Sequence, residues 1–178
     1  MGAGNWLWWE SAQVTAVRAI SYRGQGYSGV GASRRFVLPP QLRKAVKESS
    51  ENNRVLCLTR HERWNCLAGF GLSRLDDFAA QLDREEAHAL TASRDFDRDL
   101  RATQLYGFSE VPFDDSGRFV LPDHLADLAG VADALYFHGA GPFFTLWNPD
   151  NLAKMGEGWE GAQAACAHLA AEQAKIRK

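Results

Sequence analysis

Apolar positions along this chain come in short runs of three to six, broken by turn-forming residues, rather than in long helical stripes. The run "YRGQGYSGVG" (22–31) reads as a strand. "RFVLP" (35–39) reads as a short strand closed by proline, which can open a helix at its first position. A helix is expected over "PPQLRKAVKES". "RVLCLTRHERWNCLAG" (54–69) is an apolar run, a four-residue polar break and a second apolar run, the signature of a hairpin. The pattern then returns. "SRRFVLPPQL" from Ser33 and "SGRFVLPDHL" from Ser116 are nearly the same ten residues, 83 positions apart (35 to 118). A helix is expected again over "LPDHLADLAG", followed by a second hairpin, "DALYFHGAGPFFTLWN" (133–148). There Leu135, Phe137, Phe143 and Leu146 match Leu56, Leu58, Trp64 and Leu67 at an offset of 79. The four-residue difference falls in "AVKESSENN", which reads as a polar loop.

Each copy is therefore strand, turn, short strand, short helix, strand, hairpin, strand. Two strands alone are marginal. Two copies that interlock can close a barrel and remove exposed edges. Between the copies, Leu72, Leu75, Phe78, Ala79 and Leu82 recur at helical spacing with Ser73 as the expected N-cap. A second helix after Thr91-Ala92-Ser93 is expected to carry Phe96, Leu100 and Leu105. The alanine-rich tail "GEGWEGAQAACAHLAAEQAKIRK" reads as a helix with a basic end that suits the helix dipole. The expected class is α+β: a β barrel of two internal repeats, a helical pair between them and a C-terminal helix.

At 178 residues, 46% hydrophobic and 24% charged, the chain has the composition of a soluble globular protein. No stretch approaches the ~18–20 apolar residues of a bilayer span. Cys57, Cys66 and Cys166 are odd in number and lack a metal or redox spacing, so buried thiols are expected. The net charge of −2 hides an asymmetry. Ten Lys or Arg between Arg18 and Arg63 face only three glutamates, giving +7. One arginine between Leu105 and Asn151 faces seven acids, giving −6. Taken along the chain, a polyanion would meet the first half and be repelled by the second.

The paired "RFVLP" segments, separated by a helical pair, resemble the MraZ family of bacterial transcriptional regulators, whose two AbrB-like motifs are each marked by Asp-x-x-x-Arg, an apolar run and proline. Asp114-Asp115-Ser116-Gly117-Arg118 followed by "FVLP" fits this pattern. In the first copy Arg35 and "FVLP" fit, but Gly31 stands at the aspartate position and Arg34 at the glycine position. The resemblance covers about residues 22–155. It implies an AbrB-like swapped-hairpin (double-psi-like) barrel. The implied divisions are an N-terminal extension (1–21), a first SpoVT-AbrB-type repeat (22–70), a helical connector (71–104), a second repeat (105–151) and a helical tail (152–178). Residues 1–20 have no counterpart in the family, which suggests a mis-assigned start or a disordered leader. The resemblance further implies a cytoplasmic, nucleoid-associated regulator. Such a protein would assemble as a ring of identical subunits and repress the division and cell-wall gene cluster by binding direct repeats in promoter DNA.

DNA recognition needs cations on a rigid surface, and arginine grips either phosphates or a guanine edge. Arg35 falls on the family's motif arginine. Arg34 adds a charge beside it, Arg23 lies on the preceding strand, and Arg43 and Lys44 on the following helix extend the expected patch. Asp114, Gly117 and Arg118 read instead as the structural motif of the second repeat, with Asp114 pairing Arg118 across the turn. No cofactor, metal, membrane or small-molecule ligand is expected. The five histidines show no ligand spacing. Asp115-Ser116-Gly117 matches the aspartic-protease triplet, but the first copy has Ala32-Ser33-Arg34 in its place, and that chemistry needs two carboxylates. The reading is therefore not an enzyme. An antitoxin-like or other protein-interaction module is the alternative.

Overall fold

The computed structural model describes residues 19–176, so the expectation for the N-terminal extension lies almost wholly outside the described residues. In chain order the strands and helices are β1 (Gln25–Gly29), β2 (Arg35–Val37), α1 (Pro40–Ser49), β3 (Val55–Arg60), β4 (Leu67–Phe70), α2 (Phe78–Thr91), α3 (Arg98–Tyr106), β5 (Ser109–Pro112), β6 (Arg118–Val120), α4 (Asp123–Ala129), β7 (Ala134–Gly139), β8 (Phe144–Trp147), α5 (Pro149–Ala153) and α6 (Glu160–Ile176).

The two repeats exchange strands: β1 pairs with β7, β3 with β5, β4 with β8 and β2 with β6, while the hairpins β3–β4 and β7–β8 stay within a repeat. One sheet has the order β1-β7-β8-β4-β3-β5, and β2 pairs with β6 in a separate ribbon. Replacing every strand by its counterpart in the other repeat turns this order into its own reverse. The register obeys the same symmetry. Ser28 faces Leu135, and Val111, 83 positions after Ser28, faces Leu56, 79 positions before Leu135. On the ribbon Arg35 faces Val120, Phe36 faces Phe119 and Val37 faces Arg118, which sets the two phenylalanines on the pseudo-axis. At the centre of the large sheet Leu67 faces Leu146.

Both central strands, "LAGF" and "FTLW", are buried at every position, because each sheet face is covered. One face carries the main core, with Phe36, Leu38, Leu42, Leu56, Phe119, Leu135 and Leu146. The other meets α5 and α6 through Cys66, Tyr136, Trp147, Leu152 and Cys166. A fully buried Leu or Phe contributes about 1.5–3 kcal/mol, so the exchange of strands is what unites the repeats in one core. Gly69 faces Phe144 across the ladder, where a Cβ would stand 2.7 Å from the phenyl ring. The small residue there makes room for the large one.

The α+β class and flanking helices are as expected, but no closed barrel is found. The large ladder ends at β1 and β5. The ribbon lies near both ends without completing the circuit. On the β1 side Val37 N–H donates to Ser28 Oγ (2.8 Å); on the β5 side Phe113 and Phe119 form a single bridge. The outward backbone groups of the ribbon are taken instead by its own turns: Gly31 N–H donates to Arg35 O, and Asp114 N–H to Arg118 O.

Three local expectations are also corrected. "AVKESSENN" is not all loop: α1 runs through Ser49, ten residues against seven in α4. Its end is held by Ser49 Oγ against Ser73 Oγ (2.6 Å), and by Ser50 Oγ, which donates to Val55 O and accepts Leu72 N–H. Ser73 consequently sits inside a 3-10 turn (Leu72–Asp77), not at a helix cap. Phe96 precedes α3, which Asp97 caps by accepting Leu100 N–H at 2.9 Å. The tail is helical as expected. It docks on β1, where Gln173 Oε1 accepts Gly29 N–H at 2.6 Å. All three cysteines are free and buried, and burial pushes Cys57 and Cys66 up to about 12.

Candidate nucleic-acid interface

Alternation on β2 and β6 buries Phe36 and Phe119 and turns Arg35, Val37, Arg118 and Val120 outward. Because Arg35 faces Val120 and Val37 faces Arg118, the two motif arginines are diagonal neighbours, about 7–8 Å apart at the backbone. The result is a small outward face carrying one arginine from each repeat.

The turns feeding this ribbon share a backbone bond and differ in side chains. Gly31 N–H donates to Arg35 O at 2.8 Å, and Asp114 N–H donates to Arg118 O at 3.0 Å. In the second turn Asp114 Oδ1 accepts Ser116 N–H and Arg118 N–H, both at 2.9 Å, and its Oδ2 accepts Arg118 Nε–H at 2.6 Å. The Arg118 backbone N–H, with the guanidinium beside it, holds the Asp114 carboxyl below the usual carboxylate range. Arg118 is thus oriented by its own turn, as the sequence suggests. In the first turn Gly31 offers no carboxylate, and among the described residues Arg35 has no acid within 4.0 Å.

Gly117 has φ +82°, and a Cβ there would lie 2.9 Å from Leu38 O and 3.0 Å from Arg43 Cδ. At the matching place Arg34 takes φ +57°, and Ser33 before it takes φ +59°. The first turn therefore keeps the left-handed backbone without glycine, at about 1–2 kcal/mol per residue.

The five cations expected as one patch fall into three groups. Arg34 and Arg35 stay together, both exposed. Arg34 Nη2 lies 3.1 Å from Asp123 Oδ1 at the start of α4, with both side chains more than three-quarters exposed. Arg43 reaches across to the second turn, against Gly117. Arg23 and Lys44 line a cleft with Ile20, Gln41 and Glu48, and Lys44 sits 4.0 Å from Glu48. Sequence reasoning missed two cross-repeat pairs, Arg34–Asp123 and Arg54–Asp115. Aligning the repeats would have placed each arginine near the other copy's turn, but not their rotamers. These pairs also correct the expectation of a cationic half and an acidic half: strand exchange interleaves the charges. Asp115, the protease-like aspartate, is occupied by Arg54.

No family model matches the chain. Curated relatives do. It is 32% identical over 134 residues to the transcriptional regulator MraZ of Parvibaculum lavamentivorans, covering 75% of this chain and 79% of that one. It is 32% identical over 119 residues to the transcriptional regulator MraZ of Rhodospirillum rubrum (66% and 73% covered), and 30% over 117 residues to that of Caulobacter vibrioides (66% and 70%).

Proposed function

The chain belongs to the MraZ family of transcriptional regulators, and on that premise we propose that it binds promoter DNA through the outward face of the β2–β6 ribbon. Arg35 is the principal contact: it is exposed, it starts a strand on a packed core, and among the described residues no acid lies within 4.0 Å of it. Arg34 adds a phosphate contact, surrendering an exposed pair with Asp123 of the kind generally worth under about 1 kcal/mol. Arg118 supports the face from a fixed rotamer, while Arg43, Arg23 and Lys44 provide weaker contacts around it. A ring of identical subunits would present the face many times to direct promoter repeats, so that weak contacts combine through effective concentration. Repression of the division and cell-wall gene cluster, in the cytoplasm at the nucleoid, completes the proposal.

The single observation that carries this reading is the sharing of one exposed ribbon face by Arg35 and Arg118. The experiment is a mobility shift on the protein's own upstream region at several salt concentrations, alongside native mass measurement of the free protein. A retarded complex that weakens steeply with salt is expected, because each phosphate contact releases counterions. Val37 and Val120, 43% and 50% exposed on the same face, favour a second reading as a protein-binding module. Binding to a protein partner with little salt dependence, and no DNA shift, would select it.

A further inference from the structure

A cleft of about 700 Å³ opens between the tip of the β3–β4 hairpin and the connector helices α2 and α3. That volume is within the usual range for small-molecule sites. None of its lining residues belongs to the ribbon. Four arginines and one glutamate stand in its walls: Arg60, Arg63 and Glu62 from the hairpin tip, Arg74 and Arg101 from the connector. Two of the four are neutralised. Arg74 reaches Asp77 at 3.0 Å and Gln81 at 3.2 Å, and Arg101 is shared by Glu85 and Glu62, the latter at 2.6 Å. Among the described residues Arg60 and Arg63 have no acid within 4.0 Å.

His61 lies between them in the chain and also lines the cleft. His61 Nδ1 accepts the backbone N–H groups of Arg63 and Trp64, each at 3.1 Å. A nitrogen that accepts two bonds carries no proton, so the proton sits on Nε2. Burial lowers the His61 pKa, favouring the uncharged ring. The ring is fixed by stacking on Trp64 (4.5 Å, 8°) and by a tilted contact with Phe143. The apolar part of the lining is Phe70, Phe78, Leu105 and Phe143, the last in ring contact with His61.

We propose that this cleft binds a small organic anion, its acidic group held by Arg60 and Arg63 with the His61 Nε2–H, and a ring-sized apolar body seated on Phe70, Phe78, Leu105 and Phe143. The sequence pointed to no such ligand, since the apolar residues stand from 7 (Phe70 after Arg63) to 83 (Phe143 after Arg60) positions from the arginines. Carboxylates, phosphates and sulfonates share the required chemistry.

The test uses the full chain and two fluorescent probes of like shape, 1-anilinonaphthalene-8-sulfonate and the uncharged N-phenyl-1-naphthylamine. The anion should bind saturably at one site per chain, and the uncharged probe at least tenfold more weakly. Arg60→Ala with Arg63→Ala should weaken the anion at least tenfold. Leu105→Trp, which fills the cleft and keeps both arginines, should do the same. Arg94→Ala with Lys154→Ala, which removes two charges elsewhere, should leave the affinity within twofold, with circular dichroism unchanged in all variants. Equal binding of the two probes, non-saturable binding, or an undiminished affinity in the Arg60/Arg63 variant would overturn the proposal.

Discussion

The turn before β2 and the turn before β6 hold matching places in two related repeats, yet they are built differently. The second has Asp114 to satisfy the turn's N–H groups and fix Arg118, and Gly117 to take the left-handed backbone without strain. The first has lost both devices. Gly31 leaves Arg35 without a carboxylate, and Arg34 takes positive φ where a glycine would be at ease. One turn is tied down by its own aspartate. The other is strained and doubly cationic, the arrangement expected where a backbone and its charges serve a ligand.

Four experiments break or sharpen that contrast, from the largest expected effect to the smallest. Arg35→Ala should weaken binding to a promoter fragment by about 10- to 100-fold per engaged site, on the scale of a lost arginine–base contact of about 1–3 kcal/mol, with an unchanged melting temperature. Unchanged mobility-shift curves would remove Arg35 from the interface. Gly117→Ala should destabilise the fold by about 2 kcal/mol in denaturant titrations, because the new Cβ meets both a positive φ and Leu38 O. Asp114→Ala should lower the melting temperature by a few degrees and affect DNA affinity less than Arg35→Ala does. If affinity alone falls, the two turns have exchanged roles. Arg34→Gly should be the mildest. It gains under about 1 kcal/mol, since the strain relieved slightly exceeds the backbone entropy a glycine loses, and it loses one phosphate's share of the salt slope.

Acid offers a graded version of the same contrast. The Asp114 carboxyl is depressed in the folded state, so its contribution is full above the ordinary carboxylate range and disappears as pH falls through its lowered folded value. The melting-temperature gap between wild type and Asp114→Ala should therefore shrink on acidification. A decline should already have begun near pH 6.5: His61 and His138 are lowered by burial, so stability is present above their unfolded value and lost as pH drops below it. Melting curves from pH 7.5 to 3.5 check both steps.

Much of the architecture was legible in local pattern. The proline-closed "FVL" strands, both hairpins and the helical tail could be read because each is specified by alternation, turn residues or composition within about 15 residues. The helix boundaries were less legible. Ser73 looked like a cap, but a serine pair with Ser49 claimed it, whereas α1 ends at Ser49, where its expected span ends. Of the candidate site, Arg34 and Arg35 are neighbours in sequence and so remain neighbours in space. Arg43 and Lys44, also adjacent, point to different places, because successive positions on a helix project about 100° apart.

By itself the sequence determined that one ten-residue segment recurs, and where the short "FVL" strands and the two hairpins lie. Those properties are written in short-range order, and the repeat offsets of 83 and 79 reappear unchanged in the register of the ladders. Only the tertiary structure decided that the repeats would trade strands and that the ladder would stop short of closure. It also decided that charges segregated along the chain would meet as Arg34 with Asp123 and Arg54 with Asp115. The reason is physical: pairing between distant strands is chosen by how much apolar surface the whole core buries, a quantity no single segment carries.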